Sequence, residues 1–342
     1  MINKTLYSLK DNNSFHLDVI CDKYLEYSSV KELKELISSS KIGDRFLNIG
    51  SGSNLLFSDD YHGTVLHSAI NFIKIKDETR NHVIVKVGAA CIWDDFVKYC
   101  CKHKWYGCEN LSLVPGETGS AAVQNIGAYG KEIKDLLIKV NAIDLITGKE
   151  CSFDVDECNY GYRTSIFKTP EMRKYAITAV TFRLLKYKVF TLSYKGLVDE
   201  LKRITKAKTP ISLSLVREAI INIRNRKLPD PKIIGNAGSF FTNPSVSKEK
   251  LEELKKTYPD IPFYGNMITG LVKLSAGWLI EQCGWKGHDI GKAGVYEHQA
   301  LILVNRGGAT GKNLIDLSEK IQETVKEKFG IILNREVNII NN

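Results

Sequence analysis

The sequence predicts an α+β protein, and three observations support that class. Strand-like and helix-like segments follow one another without an internal repeat, no stretch has the length and apolarity of a membrane span, and three glycine-rich runs interrupt otherwise ordinary folded sequence. The runs are Gly50-Ser51-Gly52-Ser53-Asn54, the segment Pro115 to Gly130 ending in Gln124-Asn125-Ile126-Gly127-Ala128-Tyr129-Gly130, and Gly235-Asn236-Ala237-Gly238-Ser239. With 342 residues the chain is long enough for two or three domains.

The elements follow in order. Ser29-Val30-Lys31-Glu32 has the spacing of a capping box, and Val30, Leu33, Leu36 and Ile37 share one face of the helix it opens. Phe46-Leu47-Asn48-Ile49 reads as a strand that runs into the first glycine run. Val83 to Val87 is a second strand, followed after Gly88 by a helix with Trp93, Phe96, Val97 and Cys100 inside. No Gly-x-Gly-x-x-Gly opens a helix after the first strand with an acid at the expected distance, so a Rossmann unit is not indicated. Leu137 to Ile143 and Ala176 to Phe182 carry the branched, partly alternating pattern of strands. Leu228-Pro229-Asp230-Pro231 is the clearest break, because two prolines oppose a continuing helix, and a last domain is expected from about residue 220. Within it Leu314, Leu317, Ile321 and Val325 fit a helical face, and Ile331-Ile332-Leu333 is expected to begin a terminal strand. Trp278 shares a helical side with Leu274 and is assigned to packing.

Composition narrows the function. Hydrophobic content of 43% and charged content of 25% describe a soluble globular protein. The formal charge of +9 suits an anionic ligand, but the basic residues are dispersed among acids, which argues against nucleic acid as partner. Met1 to Tyr7 leads into polar sequence without a signal-peptide core, so a cytoplasmic protein without membrane insertion is expected. The eight cysteines include no Cys-x-x-Cys pair, and no histidine set with zinc spacing accompanies them. They are read as reduced thiols, Cys283 beside Gly284 among them, and no metal is expected. The glycine runs permit sharp turns or close approach of the main chain, and their Ser, Thr, Asn and Gln residues offer amides and hydroxyls to a polyphosphate. On composition alone, tight turns at domain corners and a nucleotide cradle are both open.

The ordered set of motifs resembles the UDP-N-acetylenolpyruvoylglucosamine reductase family of flavoenzymes. It consists of Asn48 to Leu56, Gln124 to Gly130, Tyr160-Gly161-Tyr162-Arg163-Thr164-Ser165-Ile166-Phe167, Lys227 to Pro231, Gly235 to Phe241, Ser275 to Ile280 and Glu336-Val337. The resemblance runs through essentially the whole chain. It implies a vanillyl-alcohol-oxidase/PCMH-type FAD-binding region of two subdomains, residues 1–70 and 71–219, and a C-terminal α+β substrate-binding domain, 220–342, whose last strand returns Glu336 to the active site. It also implies noncovalent FAD, NADPH as hydride donor, and reduction of UDP-N-acetylenolpyruvoylglucosamine to UDP-N-acetylmuramate for peptidoglycan precursors. The implied assembly is a monomer, with a weak dimer as the alternative.

The same resemblance implies the site. Gly50, Ser51, Gly52, Ser53, Asn54, Gln124, Asn125, Gly127, Ala128, Tyr129 and Gly130 would hold the cofactor. Arg163 would pair with the substrate carboxylate through its fork of donors, Ser239 would protonate the enolate carbon, and Glu336 would lie across the carboxylate end. From the residues alone, a salt-bridge arginine is the favoured reading of Arg163 and a turn or cap serine that of Ser239, while an exposed charge in a final strand is the alternative for Glu336. Lys227 and Tyr194 match positions that contact the substrate diphosphate, Asn243 is a further contact, and the tyrosine loop places the chain in the longer form of the family. Three residues depart from the pattern: Glu117, Thr242 and Asn334. A carboxylate near phosphate repels it, so the Glu117 side chain is expected to turn into solvent or toward a basic neighbour. A flavin oxidase acting on an alcohol or sugar, and a noncatalytic nucleotide-sugar binding module, are the competing readings.

Overall fold

Strand Ile20–Tyr27 buries Cys21, Tyr24, Leu25 and Tyr27, and that apolar set seeds the first sheet of the computed structural model, which describes residues 1–206, 209–265 and 270–342. The chain divides into two compact units, one of residues 1–7, 21–51 and 62–226, the other of 8–20, 52–61 and 227–342.

The first unit has two main sheets. One orders its strands Ile2–Ser8, Ile20–Tyr27, Tyr61–Ser68 and Phe46–Ile49, the last two running parallel with Ile49 opposite His67. Helix α1, Val30–Ser38, buries Leu33 and Leu36 against Leu25, Tyr27 and Leu66. Ser29 Oγ accepts from Glu32 N at 3.1 Å as the capping box requires, but Glu32 accepts from Ser28 N at 2.8 Å, so the return arm reaches one residue earlier than expected. The second sheet is antiparallel in the order Glu150–Asp154, Leu137–Asp144, Tyr175–Leu185, His82–Gly88 and Ile73–Glu78. Its middle strand is buried almost throughout, from Ala176 to Phe182 without a break, as both faces are covered. Helix α2, Trp93–Lys102, packs Trp93, Phe96, Val97 and Cys100 into that core, with the Phe96 and Phe182 rings 5.1 Å apart. Helices α3 (Thr118–Gln124), α4 (Lys195–Ile204) and α5 (Leu213–Lys227) complete the unit up to Arg226. Residue 220, where the last domain was expected to start, lies inside α5 with Ile220 buried, and the helix stops only where Leu228-Pro229 forbids another turn.

The second unit carries a sheet ordered Gly235–Ser239, Ile302–Asn305, Ala293–Val295 and Asp289–Ile290, and a smaller one of Ser245–Ser247, Leu271–Leu274 and Phe263–Tyr264. Its helices are α6 (Lys248–Thr257), α7 (Ala276–Gln282) and α8 (Gly311–Phe329), the last burying Leu314, Leu317, Ile321 and Val325. Trp278 of α7 packs between Tyr258 and Phe329 at 5.8 and 5.9 Å between ring centroids. The terminal strand is not at Ile331 to Leu333. Ile331 and Leu333 are buried and Ile332 exposed, the alternation of a strand, but the Leu333 carbonyl accepts from Gln322 Nε2 at 2.6 Å and not from a strand partner. The strand forms later, at Asn338–Ile340, parallel to Leu55–Phe57. All eight cysteines are thiols. Among the described residues no helix is long and apolar enough to cross a membrane, and no cluster of His, Cys, Asp and Glu could hold a metal ion.

Candidate active site

In the first unit two of the glycine runs meet. A Cβ at Gly50 would lie 3.0 Å from Glu117 Oε2 and 3.1 Å from Ser120 Oγ, so the first run abuts the start of α3 closely enough that a larger residue would push those side chains aside. Glu117 is the N-cap of that helix, and its N–H donates to Ser120 Oγ at 3.2 Å. Of the two directions expected for its side chain, solvent or a basic neighbour, the structure has the second: Glu117 is buried and faces a histidine. His67 Nε2 stands 3.0 Å from Glu117 Oε1, and Nδ1 of the same ring stands 3.0 Å from Glu26 Oε2. Burial draws the imidazole pKa down, but the hydrogen bonds and charges of Glu117 and Glu26 outweigh it and hold it above its ordinary value.

The run from Gln124 to Gly130 is fixed by side chains inside the same unit. Asn125 closes α3 in the left-handed region at φ 46°. It is fully buried and donates to the Gly161 carbonyl at 2.7 Å and to Glu132 Oε2 at 3.2 Å. Its side chain therefore fastens loops together. Gln124 Oε1 accepts from Lys168 Nζ at 3.1 Å, and the same ammonium donates to the Arg163 carbonyl at 3.2 Å. Asn110, which carries no sequence signal beyond its identity, donates from Nδ2 to the carbonyls of Tyr129 at 2.7 Å and Thr191 at 2.8 Å. Tyr129 itself has φ 49° and meets Tyr194 edge-on with centroids 5.0 Å apart.

Arg163 sits on strained backbone at φ 56°, donates from Nη2 to the Gly127 carbonyl at 2.7 Å, and lies over the Tyr162 ring. A Cβ at Gly127 would come 2.9 Å from Arg163 Nη1 and from Glu132 Cγ, so a side chain there would displace the guanidinium from its present place. Asn125, Tyr129, Asn159 and Arg163, all non-glycine residues at positive φ, fall in this part of the chain. Tyr194 precedes α4 as its N-cap, and Lys227 ends α5, exposed. The two helices are clamped by Glu200, which accepts from Arg226 Nη2 and Nη1 at 2.6 and 3.1 Å and from Arg203 Nη2 at 2.7 Å. These guanidinium hydrogen bonds hold the Glu200 carboxyl down at about 2.

In the second unit Gly52 turns at φ 68° against the Asn12 carbonyl, leaving no space for a Cβ, and its own carbonyl accepts from Ser14 N at 3.2 Å. Asn54 Nδ2 donates to the Glu336 carbonyl at 3.2 Å, while the Asn54 carbonyl accepts from Asn338 N and Nδ2 at 3.2 and 3.1 Å. Ser239 ends the strand Gly235–Ser239, and the next carbonyl, that of Phe240, accepts from Glu336 N at 2.8 Å. Ser239 and Glu336 are thus carried on hydrogen-bonded backbones of one unit, while Arg163 belongs to the other with Gly127. Asn243 Oδ1 accepts from Ala276 N at 3.0 Å and caps α7. Thr242 N and Oγ1 both donate to the Asn334 carbonyl, at 2.9 and 3.3 Å, so the two departures from the family pattern face each other.

Comparison with known proteins adds two family models and close relatives. A model described as UDP-N-acetylenolpyruvoylglucosamine reductase, C-terminal domain, matches residues 230–340, and one described as FAD binding domain matches 22–153. The chain is 51% identical over 334 residues to the UDP-N-acetylenolpyruvoylglucosamine reductase of Bacteroides fragilis strain YCH46, covering 98% of this chain and 99% of that one. It is 46% identical over 337 residues to the protein of the same name from Porphyromonas gingivalis, covering 98% of each. The crystal structure of UDP-N-acetylenolpyruvylglucosamine reductase from Thermus caldophilus superposes with a TM-score of 0.68 at 20% identity over 99% of this chain and 98% of that one, a likeness of fold.

Proposed function

The chain belongs to the UDP-N-acetylenolpyruvoylglucosamine reductase family, and from that premise we propose that Arg163, Ser239 and Glu336 carry its chemistry. Its fold is a PCMH-type FAD-binding region followed by a C-terminal α+β substrate domain. It is an FAD-dependent oxidoreductase that uses NADPH to reduce UDP-N-acetyl-3-O-(1-carboxyvinyl)-glucosamine to UDP-N-acetylmuramate in peptidoglycan synthesis. Bound FAD supplies the hydride-transfer chemistry that no protein side chain can supply.

The residues present fit that cofactor. Gly50, Gly52, Gly127 and Gly130 carry no side chains of their own over the main-chain amides, Ser51 and Ser53 add hydroxyls, and the carboxylate that borders Gly50, Glu117, is engaged by His67. In the proposed site the main chain of Gly50 to Asn54 and of Gln124 to Gly130 binds the anionic part of the dinucleotide. The Asn125 and Asn54 side chains hold those segments in place. As the functional division we propose FAD subdomains at 1–70 and 71–219 and substrate binding from 220 onward.

Arg163 orients the substrate carboxylate and stabilises the negative charge that grows on it, with its guanidinium pre-aimed by the Gly127 carbonyl. Ser239 Oγ delivers the proton to the carbon next to the carboxylate, and Glu336, fixed through its own N–H to the Phe240 carbonyl, supports the carboxylate end. Tyr194, Lys227 and Asn243 hold the uridine diphosphate portion. The observation that carries the assignment is the Glu336 to Phe240 hydrogen bond, which joins the C-terminal motif to the strand bearing Ser239. We place the enzyme in the cytoplasm as a monomer, with no nucleic-acid partner. Denaturing the purified protein should release FAD, and stopped-flow traces should resolve reduction by NADPH from reoxidation by the enolpyruvyl substrate. A flavin reoxidised rapidly by oxygen and not by that substrate would favour the oxidase reading instead.

A further inference from the structure

His67 stands between two carboxylates at the point where the two FAD-binding runs of the first unit touch. Its side chain retains 15% exposure, that of Glu117 7% and that of Glu26 25%, so the group is largely withdrawn from solvent screening. Glu117 Oε2 marks the space that a Cβ on Gly50 would enter, so one oxygen of this carboxylate borders the first glycine run while the other meets the imidazole. An unneutralised carboxylate there opposes any dinucleotide diphosphate held by Gly50 and its neighbours.

We infer that His67 is a positioning residue of the cofactor cradle: as an imidazolium bridging Glu26 and Glu117, it cancels the charge that Glu117 would otherwise present to the FAD diphosphate. This rests on the assignment of the Gly50 and Gln124 runs to FAD. With the ring charged, the three side chains carry one net negative charge; with it neutral they carry two. The groups facing His67 are few. Strand Ile20–Tyr27 contributes Glu26, Tyr24 with its ring 6.5 Å away and its hydroxyl donating to Glu26 Oε2 at 3.3 Å, and the buried Tyr27; the N-cap of α3 contributes Glu117; strand Phe46–Ile49 has no titratable residue. An imidazole is the side chain of this set that ordinarily changes charge near neutrality. Its raised pKa means that the charged form persists below that value and is lost as pH rises through it. FAD affinity should therefore fall on the alkaline side.

The test is the FAD dissociation constant of the holoenzyme, read from the rise of flavin fluorescence on dilution at about pH 6 and about pH 9, for wild type, His67→Gln, Glu117→Gln and the double variant. The wild type should weaken by about tenfold between the two pH values, and His67→Gln should be weaker by about tenfold at the lower pH and flat across the range. Glu117→Gln should be tight and flat, and adding it to His67→Gln should restore affinity, which a merely structural histidine would not allow. A Glu117→Gln variant that keeps the full pH dependence, or a double variant no tighter than His67→Gln, would overturn the inference. Should His67→Gln fail to fold by circular dichroism, the Glu117→Gln profile decides alone. Wild type that binds no FAD at either pH would instead remove the cradle assignment on which the inference stands.

Discussion

Asn54 holds Glu336 by its main chain: the asparagine amide donates to the Glu336 carbonyl at 3.2 Å, and the Asn54 carbonyl receives both the N–H and the side-chain amide of Asn338. A residue of the first glycine motif thereby sets the path of the C-terminal segment before it pairs with Leu55–Phe57. Replacing Asn54 with Ala removes one hydrogen bond of the three. The variant should bind FAD and be reduced by NADPH at close to the wild-type rate, while turnover of the enolpyruvyl substrate falls about threefold to tenfold. Loss confined to FAD binding would return Asn54 to a cofactor contact.

Arg163 should not tolerate lysine. Its guanidinium donates to the Gly127 carbonyl and has further donors for a planar carboxylate, whereas an ammonium cannot keep both sets of contacts in fixed geometry. Arg163→Lys should lower substrate reduction by roughly 10²-fold and leave NADPH oxidation by the bound flavin nearly intact. Equal loss in both half-reactions would show that the arginine serves the loop alone.

Tyr194 and Lys227 should act on capture of substrate. Tyr194 is exposed at the start of α4 and Lys227 at the end of α5, where both are available to phosphate oxygens. Tyr194→Phe and Lys227→Ala should raise KM for the UDP-sugar, by about tenfold for the lysine, with little change in flavin reduction. An unchanged KM in both would detach these helices from substrate recognition.

The clamp between those helices should report on acid stability. Glu200 has its carboxyl pKa depressed to about 2 by hydrogen bonds from Arg203 and Arg226. The folded value lies below the unfolded one, so the stabilisation is complete above the ordinary carboxylate range and disappears as pH falls toward 2. Glu200→Gln should lower Tm by roughly 2–4 °C near neutrality, and that gap should close on acidification. A gap that persists unchanged to low pH would mean that shape and not charge joins α4 to α5.

Much of this was legible in the sequence because local signals and tertiary demands agree. The face made by Leu314, Leu317, Ile321 and Val325 is buried along α8, and Phe46–Ile49 is the strand expected before the first glycine run. Ile331 to Leu333 misled because alternate burial was satisfied without strand pairing. His67, Asn110 and the inward turn of Asn125 were not legible, since each depends on partners distant in the chain: Glu117 and Glu26, Thr191, and Gly161. Glu117 gave the one hint, because a carboxylate among glycines expected to bind phosphate calls for a cation, but its spacing from position 67 carries no periodic signal.

The central claim is that Ser239, on the strand that Glu336 joins through Phe240, supplies the proton that completes reduction. Its direct test is rapid mixing of pre-reduced enzyme with the enolpyruvyl substrate, followed by product analysis, for wild type and Ser239→Ala. The account predicts unchanged FAD content and flavin reduction by NADPH, with product formation slowed by about 10²–10⁴-fold. Wild-type rates of product formation in Ser239→Ala would contradict it and leave Ser239 as a residue of the turn after Gly238.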